Sequence, residues 1–349
     1  MEKYSKWRDS GTGIHPFLQP AGTQTHETAV GSVLSWAKRL VVGPALAAVR
    51  MVVLGIAAAA EVAASAVSAL LVVPSVRRGW ERCTRCVLAR LALLAMGFYW
   101  IDTKRTSLQR GRRSASKSTA KKDSIATVKS GDVILANHVS YVDVLYLVAK
   151  YNPVFVEMDN ATMYVRPISL WTALRAPALP TPALLPAGTA RPLKHITEEA
   201  RIKQNGPVVV FPENATTNGR ALLQLLPLFE EAGNQDEKSD LHLLALKYPF
   251  KVFSPAYSVG SQLGHLFRLC SQLHNSLVVR VLEPDEAPSI KSSALFCDAG
   301  DEPVDLDEAV RDKLVQLSRL RMTKLTAMDK RDFLAFYHKR SKGYKPTTI

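Results

Sequence analysis

From Gly131 onward, short apolar runs alternate with stretches of helical periodicity. "DVILA" (Asp132–Ala136) reads as a strand, and "YVDVLYLVAK" as a helix whose apolar residues recur every three to four positions. "PVFVEM" (Pro153–Met158) predicts a second strand, followed by a helix around Ile168–Leu174 and a short strand near "ALLPAG". "LKHITEEARIKQ" predicts a helix closed by Gly206, and "PVVVF" (Pro207–Phe211) a fully buried strand. Further strands are expected at "LHLLALKY", "FSPAY" and "SLVVRVL", and two basic helices over Asp307–Leu325 and Asp329–Arg340. Such alternation predicts an α/β fold whose mostly parallel sheet is covered by helices on both faces.

The N-terminal third follows another pattern. Residues 1–35 carry Gly11, Gly13, Pro16, Pro20 and Gly22 with little periodicity, which predicts a disordered arm. Met51–Val73 is apolar apart from Glu61 and serines, long enough to cross a bilayer of roughly 30 Å. A second apolar run, Val87–Ile101, is shorter and contains Tyr99-Trp100, a pair suited to a membrane interface. Together they predict a membrane-associating helical hairpin over 36–101, the alternative being a water-soluble helical pair packed on the domain.

Composition changes this picture in one respect. The net charge of +14 suggests an anionic partner. Residues 102–124 hold eight Lys or Arg against two Asp, directly after the apolar segment. A basic linker there is expected to lie on an anionic lipid surface from the cytosolic side. No zinc finger or aromatic RNA-binding motif accompanies it, so nucleic acid is not the expected partner. Cys83-x-x-Cys86 has no second pair, and four cysteines are too few for a disulfide framework, so neither zinc nor an oxidising compartment is implied. The expected divisions are therefore an arm (1–35), a hairpin (36–101), a basic linker (102–124), a catalytic α/β domain (125–300) and C-terminal basic helices (301–349).

Two polar clusters end buried strands. Asn137-His138 closes the first, and Asp143 follows the histidine by five residues. Ser140 and Asp143 also have the spacing of a helix capping box, so Asp143 has a purely structural reading as well. The second cluster, "FPENATTNGR" (Phe211–Arg220), ends the "PVVVF" strand. In open α/β sheets, sites gather beyond the carboxyl ends of the strands.

Asn137-His138-x4-Asp143 together with Phe211-Pro212-Glu213 resembles the motif pair of the glycerolipid acyltransferases of the lysophosphatidic acid acyltransferase type. Arg191 is a loose match to that family's second block, and Pro255 a moderate match to its fourth. The threonines and Asn218-Gly219-Arg220 look most like the fungal lysophosphatidic acid:acyl-CoA branch of the endoplasmic reticulum and lipid droplets. The resemblance implies a glycerol-3-phosphate acyltransferase-like fold and acyl transfer from acyl-CoA, a substrate and not a bound cofactor, to a lysophospholipid. It implies 1-acylglycerol 3-phosphate as acceptor and phosphatidic acid as product; another lysophospholipid acceptor, or a catalytically weak membrane scaffold of the same fold, are the alternatives. His138 is then the general base and Asp143 its orienting carboxylate, with no acyl-enzyme and no metal. Asn137, Glu213, Asn214, Thr216, Arg191 and Arg220 are the expected substrate contacts, the arginines for phosphate and Asn137 for the oxyanion.

Asn214 stands where the family has glycine. If that position needs a positive φ, asparagine is the least costly substitute. Asn214-Ala-Thr216 and Asn160-Ala-Thr162 are also glycosylation sequons, and acyl transfer at this site requires Asn214 to stay bare.

Overall fold

The computed structural model describes residues 4–22, 38–108, 128–181, 184–186, 188–230, 234, 236–288 and 305–343. Seven strands form one sheet: β1 (Ile101–Thr106), β2 (Val133–Ala136), β3 (Val154–Met158), β4 (Val165–Ile168), β5 (Val208–Val210), β7 (Leu241–Lys247) and β8 (Leu277–Leu282). Their order is β1-β8-β7-β2-β5-β3-β4. The pairs β1·β8, β7·β2, β2·β5 and β5·β3 are parallel. The β7·β8 and β3·β4 pairs are antiparallel.

The continuous apolar runs of β2 and β5 follow from burial on both faces. Ile134, Ala136, Val209, Leu244 and Leu246 join one core. Val133, Leu135, Val208, Val210 and Leu243 alternate with them into the other. Helices α3 (Tyr141–Tyr151) and α6 (Gln262–Cys270) cover the first face. Helices α5 (Leu193–Lys203) and α7 (Leu306–Ser318) cover the second. The short α4 (Leu170–Arg175) follows β4, and β6 (Ala221–Leu222) pairs with β9 (Arg321–Met322) in a separate two-stranded ribbon.

Helices α1 (Gly43–Leu70) and α2 (Pro74–Ala95) form a hairpin turning at residues 71–73. Among the described residues one helix, Leu40–Leu70, is long and apolar enough to cross a membrane, with 17% of its most apolar window buried. Its Arg50 is buried and donates to the carbonyls of Cys270, at 2.9 Å, and of Gln272 and Leu273. Those carbonyls sit at the C-terminal end of α6, where backbone acceptors lack helical partners and a cation is favoured. The apolar helix is thereby fastened to the catalytic domain at one end. Farther along, Glu61 meets Arg85 of α2 at 3.2 Å, which gives this carboxylate in an apolar helix a charged partner.

Several expectations need correction. The second helix starts at Pro74, not Val87, and ends before Gly97, whose φ of +87° favours glycine. Ile101–Thr106, expected as the end of the hairpin and the start of the linker, is instead the edge strand β1. Residues 109–127 of the expected linker lie outside the described residues, as do 23–37 of the expected arm. "FSPAY" runs beside the core without joining the sheet, and β4 precedes α4 where only a helix was expected. Leu184–Pro186, the described part of "ALLPAG" apart from Gly188, is not in a strand.

Residues 4–22 differ most from expectation, because they are folded onto the domain. Trp7 and Phe17 are buried with Phe333 and Leu334 of α8 (Ala327–Gly343) and with Ala215 and Leu223 of the second motif loop. Glycine and proline shape this segment's turns, and its aromatic residues supply the burial that polar composition concealed. Phe17→Ala is expected to cost about 3–5 kcal/mol, the usual range for deleting a buried Phe side chain. Urea unfolding of the detergent-solubilised protein measures it, and a cost below about 1 kcal/mol would mean that the segment is not docked.

Candidate active site

Three adjacent parallel strands deliver the site from their carboxyl ends. β2 leads into Asn137-His138, its neighbour β5 into Phe211-Pro212-Glu213, and its other neighbour β7 into Tyr248. The register sets Leu135 opposite Val210 and Ala136 opposite Leu244, so the two sequence-distant motifs emerge side by side.

Asp143 Oδ2 lies 3.0 Å from His138 Nδ1 and accepts from the backbone N–H groups of Val139 (2.7 Å) and Ser140 (2.8 Å). Its Oδ1 accepts from the Tyr248 hydroxyl. Burial and the neighbouring Asp143 raise the Tyr248 phenol well above its ordinary range, keeping it a donor. Ser140 and Asp143 also complete the capping box that starts α3. Both interpretations of Asp143 thus hold together: it caps the helix and orients the histidine. With the carboxylate accepting on every side, Nδ1 is the protonated nitrogen and Nε2 carries the lone pair. Among the described residues nothing bonds to Nε2. The ring itself is held by stacking on Phe211, with centroids 4.0 Å apart and planes 13° from parallel.

His138 opens onto a cavity of about 290 Å³. Its lining includes apolar Phe155, Ile168, Ala173, Pro177 and Leu179 together with Asn214, Thr216, Arg166 and Lys330.

The remaining expected residues divide sharply. Thr216 and Asn214 line the cavity. Asn214 has φ +48°, so the substitution for glycine occupies the left-handed region that asparagine tolerates. Its amide donates to Met158 O at 2.9 Å and Asn160 Oδ1 at 3.1 Å, which joins the two sequon asparagines to each other.

Asn137 is fully buried and spends its amide on Leu246, accepting from its N–H at 2.7 Å and donating to its carbonyl at 3.0 Å. It fastens the loop to β7. Glu213 is likewise fully buried and off the cavity. Its two oxygens accept from the N–H groups of His138 (3.0 Å) and Leu223 (2.9 Å), so it braces the histidine loop. Burial pushes the Glu213 carboxyl upward, against the pull of these two N–H donors.

Neither expected phosphate-binding arginine reaches the cavity. Arg220 is exposed, and Arg191 is an exposed partner of Glu199 at 3.3 Å. Their backbones are hydrogen-bonded within the fold: Arg220 N–H donates to Asn218, and Arg191 bridges to Val165. Pro255 belongs to the extended segment whose Tyr257 N–H donates to Val139 O, supporting the histidine loop. Two cations were missed in the sequence. Arg166 follows β4's first residue and pairs with Glu157 at 2.7 Å. Lys330 comes from the basic tail, in a context like that of any solvated helix.

Asn218 and Gly219 have structural work. Asn218 Nδ2 donates to the carbonyls of His15 (2.7 Å) and Leu18 (2.8 Å), holding the N-terminal segment over the motif loop. Gly219 has φ +72° and lies against Val139.

The Asn214 geometry yields a paired test. Asn214→Gly and Asn214→Ala both lose the two amide bonds, but only alanine is strained at this φ. Glycine should therefore unfold at higher urea than alanine, by about 1 kcal/mol after its larger chain entropy is allowed for. Equal stabilities would mean that residue 214 does not hold a positive φ.

No family model matches the chain. Over 96% of its length and 97% of the relative's, it is 29% identical to a Schizosaccharomyces pombe protein provisionally named lysophosphatidic acid:oleoyl-CoA acyltransferase. It is 27% identical to lysophospholipid acyltransferase LPEAT1 of Arabidopsis thaliana, over 74% of this chain and 65% of that one. Among solved structures, the 1-acyl-sn-glycerophosphate acyltransferase PlsC of Thermotoga maritima matches with a TM-score of 0.38 and 12% identity, covering 78% of this chain and 97% of that one. The chain is thus similar along nearly its whole length to a lysophospholipid acyltransferase relative, and its two motifs emerge at neighbouring strand ends.

Proposed function

We propose that this protein transfers an acyl group from acyl-CoA to the free hydroxyl of a lysophospholipid, with 1-acylglycerol 3-phosphate as acceptor and phosphatidic acid as product. One observation carries the reading: the buried His138–Asp143 couple leaves Nε2 without a partner among the described residues, and His138 lines a mainly apolar cavity that also holds polar and cationic side chains.

The chemistry follows from that geometry. As the acceptor oxygen attacks the thioester carbonyl, its proton passes to Nε2 of His138. Asp143 stabilises the imidazolium that forms and, through Nδ1, holds the tautomer that leaves Nε2 basic. The C–O bond forms, the C–S bond breaks, and the departing CoA thiolate recovers the proton from Nε2. No side chain needs to carry the acyl group. The apolar lining residues suit a fatty chain, and the polar and cationic ones a glycerophosphate.

The α1–α2 hairpin offers exposed Val52, Ile56, Val67, Leu70 and Val72 to a bilayer, where both amphipathic substrates dissolve. We place the domain on the cytosolic face of the endoplasmic reticulum or of lipid droplets, with residues 102–124 supplying positive charge toward anionic lipid. The similarity to LPEAT1 favours a second reading, in which the acceptor is another lysophospholipid.

Membranes containing wild type or His138→Ala at equal expression, given oleoyl-CoA and lysophosphatidic acid, test the mechanism. Loss of ~10²–10⁴-fold in kcat/KM is expected, the usual range for removing a general base. Equal rates would remove His138 from the reaction. Transfer by the wild type only to other lysophospholipids would select the second reading.

A further inference from the structure

Resting on that reaction, we propose that Lys330 binds the phosphate of the lysophospholipid acceptor, the task expected of the motif arginine Arg220. Lys330 is 2% exposed, yet it lines the same cavity as His138, Asn214 and Thr216. Its ammonium donates to the Thr216 hydroxyl, which uses one of its three donors. Among the described residues no carboxylate lies within ion-pair distance of it.

A buried lysine with a purely structural role is ordinarily neutralised by a paired carboxylate. The acidic group whose charge acts on Lys330 is Glu213, and both Glu213 oxygens are already committed to backbone N–H groups of the catalytic loop. Burial drives the Lys330 ammonium downward, a cost that an arriving anion would offset. The cavity's other cation, Arg166, is held by Glu157 at 2.7 Å.

Lys330 is also rigidly mounted. Three residues along α8, Phe333 stacks on Phe17 at 5.5 Å and meets the edge of Trp7 at 5.4 Å. A fixed cation and a fixed base lining one cavity suit an acceptor in which phosphate and nucleophilic hydroxyl share one glycerol unit. The phosphates of CoA lie at the far end of the pantetheine arm from the thioester. The acceptor is therefore the source of phosphate that the geometry favours.

The test uses the full chain in detergent micelles, in a His138→Ala background that binds without turnover. Binding of radiolabelled lysophosphatidic acid is compared with that of a neutral monoacylglycerol for Lys330, Lys330→Met and Lys330→Arg. Methionine should weaken lysophosphatidic acid binding by roughly 10- to 100-fold, the range for a charge-assisted hydrogen bond, and leave monoacylglycerol binding unchanged. Arginine should restore most of the loss. In a His138 background the KM for acyl-CoA should not move.

Unchanged lysophosphatidic acid binding in Lys330→Met overturns the proposal. So does an equal loss for both lipids, which indicates a structural lysine, or a loss confined to acyl-CoA, which indicates the phosphates of CoA. Because binding is read without catalysis, Lys330-dependent binding by a wild type that transfers no acyl group would sink the reaction and leave the phosphate contact standing.

Discussion

The Asp143 carboxylate is the point on which the catalytic end of the molecule is assembled. A buried carboxylate is tolerated only when its lone pairs are filled, and here they are filled by donors from distinct sources. The backbone N–H groups of Val139 and Ser140 start helix α3, the His138 ring is set in one tautomer, and Tyr248 ties the whole to β7. Helix initiation, strand closure and histidine orientation therefore depend on one group. Removing its charge would loosen all three together.

Around it, much of the motif chemistry serves the loops themselves. A chain leaving the end of a buried strand carries backbone groups that the sheet no longer satisfies, and polar residues at those positions meet that need first. Asn137 closes on Leu246, Glu213 on His138 and Leu223, and Asn218 on the N-terminal segment. These motif residues thus form a framework around the His138 loop, in which no described residue bonds to Nε2.

What could be read from the chain alone follows the same physics. Strands β2, β5 and β7 were legible because burial on both faces writes an unbroken apolar run. The His138–Asp143 couple was legible because a capping position and an orienting position coincide. Lys330 was not, since Asp329–Arg340 has the composition of a solvated basic helix and its burial is created by Trp7 and Phe17, more than three hundred residues away in sequence. The exposure of Arg191 and Arg220 was also beyond reach, because a residue type and its spacing do not tell which way a loop side chain faces. Gly11, Gly13, Pro16 and Pro20 suggested disorder in a segment that two aromatic side chains fasten down.

The meeting of residues 4–22 with helix α8 over the second motif loop bears on how the protein is made. Translation produces the apolar hairpin early and the histidine loop midway, yet the cover of the loop holding Thr216 is complete only when Phe333 has left the ribosome. A chain truncated before Phe333 would leave the loop holding Thr216 without that cover, so the surroundings of the cavity depend on a helix synthesised long after the loop itself.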